Sequence, residues 1–238
     1  MWVKVQNQDL EIDAYLAKPE SEGIYPAIIV IQEIFGVNEH IRDITERFAR
    51  EGYIAIAPAI YQRQAPGFEV GYGEEDVKLG RQYKVQTQAS ELISDIQATI
   101  NYLYTLPEVK KEGVGTIGFC FGGHVVYLAS TLNDVAATAS FYGAQIATMC
   151  PGEEEATIAR TKDIKGTLYA FFGTEDPLIP NEQTKLIEQE LQQHNIPHRV
   201  FRYEGATHGF MCDRRQSYNE TAAKDAWAKV LDLFSQKL

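Results

Sequence analysis

Hydrophobic positions along the chain fall into two kinds of run. The first kind is apolar on both faces. Residues 26–31 (P-A-I-I-V-I), 53–58 (Y-I-A-I-A-P), 136–142 and 167–172 are of this type. Strands of a parallel sheet covered on both sides have this composition. The second kind repeats at helical spacing. Ile41, Ile44 and Phe48 mark a helix that Asn38 caps and that runs to Arg50. Leu92, Ile96, Ile100 and Leu103 mark a longer one over 89–106, which Pro107 ends. Asn181 is expected to cap a helix through His194, and a closing helix is expected over 217–234. Residues 2–18 differ again. Ile12, Ala14 and Leu16 alternate with polar residues around the turn Asn7-Gln8-Asp9, which predicts two half-buried antiparallel strands. His198–Tyr203 alternates as a sheet-edge strand.

Strands and helices therefore alternate almost throughout. The expected class is α/β, with a mostly parallel central sheet and helices on both faces. Residues 59–88 show no sustained period and carry four aromatics beside Pro66, Gly67, Gly71 and Gly73. They read as an irregular, cap-like segment or pocket wall within a single domain of residues 1–238.

The most specific stretch is 114–123, V-G-T-I-G-F-C-F-G-G. An apolar strand runs into Gly118, Cys120 and Gly122, and a helix-compatible run follows. The spacing G-x-C-x-G has the form of the nucleophile elbow G-x-S-x-G with sulfur in place of oxygen. A lone cysteine ending an apolar strand is ordinarily packing. The glycine frame changes that reading if a base and an acid follow at suitable places. Asp176 follows a buried strand in G-T-E-D-P, and His208 lies in G-A-T-H-G-F. The order nucleophile, acid, histidine is that of α/β-hydrolases. In open α/β sheets sites lie beyond the carboxyl ends of the strands, where Glu33, Cys120 and Asp176 all fall. His40, His194, His198 and His124 fit a catalytic place less well, and packing or capping is the expectation for His124.

Four motifs in order, Q-E-I-F-G at 32–36, G-F-C-F-G-G at 118–123, G-x-x-D at 173–176 and T-H-G-F at 207–210, resemble the dienelactone hydrolase (carboxymethylenebutenolidase) family. The resemblance spans nearly the whole chain. It implies a small α/β-hydrolase fold that opens a lactone or ester through a Cys120–His208–Asp176 triad and an acyl-thioester, without a cofactor or metal. It further implies that Glu33 meets the Cys120 thiol in the resting enzyme. The backbone N–H groups of Ile34 and Phe121 would form the oxyanion hole. Tyr83 stands in a family-like Y-K pair. The arginines that hold a substrate carboxylate in this family have no direct counterparts, because their positions hold Leu79 and Cys212. Arg81, Arg214 and Arg215 are the nearby substitutes. A broader short-chain carboxylesterase or thioesterase, and a non-catalytic binding protein of the same fold, are the competing readings. A glutamine amidotransferase-like reading of the cysteine elbow ranks below them, because no H-x-E occurs.

Composition narrows the partners. Of 238 residues 45% are hydrophobic, enough for one large core, and the formal net charge is −11. That balance argues against nucleic acid and anionic membranes. It leaves a small-molecule substrate, and the family resemblance implies a monomer or small homo-oligomer. Three widely spaced cysteines suggest neither a disulfide framework nor a zinc site, and with no leader-like start a cytoplasmic setting is expected.

Overall fold

The computed structural model describes residues 1–238. Eight strands form one sheet: β1 (Trp2–Asn7), β2 (Leu10–Ala17), β3 (Tyr25–Ile31), β4 (Ile54–Pro58), β5 (Val109–Phe119), β6 (Val135–Phe141), β7 (Thr167–Gly173) and β8 (His198–Tyr203). Their spatial order is β1-β2-β4-β3-β5-β6-β7-β8. β1–β2 and β2–β4 pair antiparallel, and every later pair is parallel. β5 begins at Val109, earlier than its apolar run, because Val109 pairs with Tyr25 before a register shift.

The helices are α1 (Glu39–Arg50), α2 (Glu74–Lys84), α3 (Ala89–Thr105), α4 (Phe121–Ala129), α5 (Asn181–Gln193) and α6 (Glu220–Lys237). β3 shows how they cover the sheet. Ile28 and Val30 pack with Ile41, Ile44 and Phe48 of α1 and with Val230, Leu233 and Phe234 of α6. Ala27, Ile29 and Ile31 point the other way, against Leu92, Ile96 and Ile100 of α3 and Val125 and Val126 of α4. Both faces of the central strands are thus sealed, which is why they are mostly apolar and why Thr116, Thr138 and Ser140 are buried with hydrogen-bond partners.

Two helix starts depart from expectation. α5 begins one residue after Pro180, so Asn181 is its first residue rather than its cap. Asn219 caps α6, its side chain accepting from the Ala222 N–H, and residues 217–219 stay outside the helix. The larger departure is α2, which lies inside the segment read as irregular. Only Gly80 of its residues is buried, so no apolar stripe betrays it. Its start is held by Asp76, whose carboxylate accepts the Gly73 N–H at 3.0 Å. No helix is long and apolar enough to cross a membrane.

Candidate active site

Cys120 sits alone between β5 and α4, with φ 54° and ψ −114°. Such a backbone costs a non-glycine residue about 1–3 kcal/mol and persists only where its surroundings hold it. Here the Cys120 N–H donates to Phe141 O at 3.1 Å, and Cys120 O accepts from the His124 N–H at 3.2 Å. The turn also depends on close backbone approach. A Cβ on Gly118 would stand 2.1 Å from Gly122 O, and one on Gly122 would stand 2.4 Å from both Ile31 O and Gln32 O. The glycine frame around Cys120 is therefore a steric requirement of the bend, and the sulfur is left partly exposed.

Asp176 and His208 approach from the next loops. The loops after β7 and β8 are laced by backbone bonds from the Thr174 N–H to Tyr203 O and from the Glu175 N–H to Ala206 O, both 3.0 Å. Asp176 Oδ1 accepts the Leu178 N–H at 2.8 Å, which orients the carboxylate. Its Oδ2 lies 2.7 Å from His208 Nδ1. The Tyr142 ring packs edge-on against the imidazole, centroids 5.1 Å apart. Nε2 of His208 is buried without a hydrogen-bond partner. Burial of the ring opposes its charge, but Cys120 and then Asp176 outweigh that and push the imidazole up to about 10. His124, in contrast, is spent on structure. Its ring nitrogens meet Ala144 O at 2.8 Å and Thr157 Oγ1 at 2.6 Å.

Glu33 is 1% exposed. The expectation was a contact with the Cys120 thiol; instead Arg215 Nη1 donates to Glu33 Oε1 at 2.9 Å, and Oε2 is buried unpartnered. The physical reason is charge: a buried carboxylate finds its strongest compensation in a guanidinium. Arg215 is itself held over the rings of Tyr72 and Phe35, 5.5 and 5.7 Å from their centroids. Burial still raises the Glu33 carboxyl, against the pull of Arg215 and His208. A carboxyl raised by folding costs stability as pH climbs through its titration, since the native state then binds more protons than the unfolded chain. Arg215→Met removes the main counter-charge, and its expected cost is about 3 kcal/mol at neutral pH, because a buried carboxylate is left unpaired. That loss should shrink at pH 5 as Glu33 takes up a proton. Urea unfolding at the two pH values measures it, and an equal loss at both would contradict the electrostatic account.

These groups open into a cavity of about 410 Å³. Cys120, His208, Ile34, Phe35, Ala144 and Leu178 line it from the strand ends. α2 and its C-cap residue supply one wall through Val77, Arg81, Lys84 and Val85, positions at the spacing of one helix face. This wall stands directly on the loop after β3, since a Cβ on Gly80 would meet Ile34 O at 2.3 Å. Ile34 lines the same cavity as Cys120. Phe121 is the first residue of α4, where an N–H has no intrahelical acceptor.

The remaining expectations divide. Arg81 reaches the cavity. Tyr83 does not line it; its ring packs against Phe68 at 4.9 Å and Tyr61 at 6.1 Å. Arg214 turns outward to Glu39 at 2.8 Å. Arg215 is the inward member of the pair. Cys212, where an arginine would stand in the family pattern, is fully buried with its thiol 3.3 Å from the Tyr72 hydroxyl. Val77, Val85, Ala144, Gln145 and Leu178 line the cavity without a role in the sequence reading, and Lys84 entered that reading only as the second member of the Y-K pair. The lining holds three cations, Arg81, Lys84 and Arg215, and no carboxylate. No group of three or more His, Cys, Asp or Glu side chains is placed to hold a metal ion.

Comparison with known proteins agrees over the length of the chain. A family model described as "Dienelactone hydrolase family" matches residues 12–238. A Synechocystis protein named "Putative carboxymethylenebutenolidase" is 59% identical over 236 residues, covering 99% of this chain and 96% of that one. A protein of the same name from Yersinia pestis is 31% identical, covering 98% and 86%. Among solved structures, a "Putative Dienelactone Hydrolase" from Klebsiella pneumoniae superposes with a TM-score of 0.90 at 29% identity, covering 99% and 98%. A dienelactone hydrolase-like promiscuous phosphotriesterase from metagenomic libraries shares the fold, with a TM-score of 0.83 at 22% identity and coverage of 100% and 97%.

Proposed function

Because the chain belongs to the dienelactone hydrolase family and is a hydrolase acting on a lactone or ester, we propose that it works through an acyl-thioester on Cys120. One observation carries this reading: His208 is fixed by Asp176 on one side and presents an unpartnered Nε2 to the cavity of Cys120 on the other. A base held by an acid and facing a nucleophile is the arrangement acyl transfer needs. We read residues 1–238 as one domain, with α2 and its flanking turns as the cap.

In the first half-reaction the Cys120 thiolate attacks the carbonyl carbon. The carbonyl π electrons move to oxygen, where the N–H groups of Ile34 and Phe121 receive them. Each such donor contributes about 2.7–4 kcal/mol to the barrier reduction. Collapse breaks the C–O bond, and the imidazolium of His208 protonates the leaving oxygen. In a lactone that oxygen stays tethered, so the ring opens. In the second half, His208 takes a proton from water, hydroxide adds to the thioester carbonyl, and the thiolate leaves. Asp176 holds the imidazole in one orientation through both halves.

The positive lining favours a substrate that carries a carboxylate. A carboxylate bound at Arg215 would compete with Glu33 for the same guanidinium. The apolar share of the lining (Val77, Val85, Leu178) favours the second reading, a broader small-ester hydrolase. Two measurements test the proposal. Stoichiometric iodoacetamide labelling, mapped to Cys120, is expected to abolish turnover. A screen of dienelactone, neutral lactones and short p-nitrophenyl esters is expected to show at least about a tenfold preference in kcat/KM for the anionic substrate, the effect of one added ion pair in a partly dry cavity. Equal turnover of neutral and anionic substrates would establish the broader reading. Labelled protein with full activity would exclude Cys120 as nucleophile, and no hydrolysis at all would leave the binding-protein reading.

A further inference from the structure

Lys84 is the cation in the cavity whose place no substrate argument requires. It ends α2 and is half-buried. Its ammonium donates to Gln145 Oε1 and stands 5.4 Å from the centroid of the Phe121 ring. One partner, Phe121, directly follows Cys120. The other, Gln145, lies in the loop after the neighbouring strand β6 and holds a left-handed backbone, φ 68°. A non-glycine residue in that region is uncommon and is kept by its surroundings. Lys84 is thus gripped from two sides over the first turn of α4.

No carboxylate offsets this charge. The lining near Lys84 contributes Arg81 from its own helix and Arg215 from the last loop, both positive. His124 of α4 also lies within its field and is buried. Burial lowers the lysine, the charge of the Cys120 sulfur raises it, and Arg81 lowers it. Cys120 shares the cavity lining with Lys84 and is the one side chain in that lining able to become an anion. From the other side, Arg81, Lys84, His208 and Arg215 are the basic side chains that share the cavity lining with Cys120.

We propose that Lys84 is a charge-compensating, positioning residue for the nucleophile: held by Gln145 over Phe121, its ammonium stabilises the negative charge of the Cys120 thiolate and of the oxyanion that replaces it. This rests on the reading of Cys120 as nucleophile. It differs from substrate anchoring, because a neutral substrate must feel it too. It also differs from a simple tie between α2 and the body of the protein, which would affect stability alone.

The test compares Lys84→Met, Lys84→Arg and Gln145→Ala with the native enzyme. Three quantities are read: the rate of Cys120 alkylation by neutral iodoacetamide at neutral pH, kcat and KM for a neutral p-nitrophenyl ester, and the melting temperature. Lys84→Met is expected to slow alkylation about fivefold and lower kcat about tenfold with KM changed less than about twofold, the scale of one unit charge at this range in a partly screened site. Lys84→Arg is expected to restore most of both. Gln145→Ala, which keeps the charge but loosens it, is expected to move both in the same direction by less, and it carries the test should Lys84→Met fail to fold. Unchanged alkylation and kcat on the neutral ester in the methionine variant would overturn the proposal, as would losses confined to the KM of anionic substrates or to the melting temperature. Cys120→Ala is run alongside. Retained turnover there would defeat the nucleophile reading itself, whereas its loss with an indifferent Lys84→Met would defeat this inference alone.

Discussion

Cys120→Ala is expected to lower kcat/KM for the best ester or lactone substrate by about four orders of magnitude or more, with the melting temperature nearly unchanged. The magnitude follows from the chemistry. On the proposed mechanism, loss of the sulfur removes the covalent path and leaves only the proposed oxyanion donors and the cavity, which in such constellations give a small residual acceleration over water. The stability expectation follows from the structure. The side chain makes no hydrogen bond that holds the fold, and alanine meets the same backbone strain at φ 54°. His208→Ala should fall by a similar factor, and the double variant should be scarcely slower than either single one. Groups that act on one proton and one bond fail together, so their losses do not add. Steady-state kinetics on the three purified variants measures this. Strict additivity of the two losses would mean that the imidazole and the sulfur do not work in the same step.

Gly122→Ala is the second large effect, and it is a stability effect first. The new methyl carbon would lie 2.4 Å from both Ile31 O and Gln32 O, and both are backbone atoms that no rotamer change can remove. Either the β3 end or the start of α4 must shift. Overpacking of a rigid site costs about 1–3 kcal/mol, and a clash with backbone on two sides belongs at or above the upper end. The same shift moves the Phe121 N–H and the loop carrying Ile34. Activity is therefore expected to drop by about a hundredfold even in the folded fraction, as removal of one oxyanion donor does. Chemical denaturation together with kinetics on the folded protein separates the two. Native stability in this variant would show that the elbow is looser than its contacts imply.

The parts of the molecule that a linear sequence displays are those where one physical demand selects the residue. β3, β4, β6 and β7 stand out because both their faces are sealed, and the bend at Cys120 because nothing but glycine fits at positions 118 and 122. Asp176 and His208 could be singled out because each ends a strand-to-loop passage on the same edge as Cys120. What the sequence hides is decided at long range. Nothing local tells Arg214 from Arg215. One turns to Glu39 and the other to Glu33, a partner 182 positions away. The Glu33–Arg215 pair is hidden for the same reason: the sequence reading sets Glu33 against Cys120, and its hydrogen-bond donor comes from the last loop. Helix α2 was hidden differently: its inner face meets a cavity and a loop backbone rather than a packed core, so it carries Gly80, Arg81 and Lys84 where a core-facing helix would carry leucines.

That placement of α2 separates two kinds of evolutionary freedom. The proposed machinery of bond cleavage is anchored at the ends of sealed strands, where a substitution disturbs the whole sheet. Four of the side chains that greet the incoming molecule, at positions 77, 81, 84 and 85, ride on one short element seated on a peptide group. Descendants of this gene can therefore broaden or retune their menu of substrates by rewriting that single face, while inheriting the reaction unchanged.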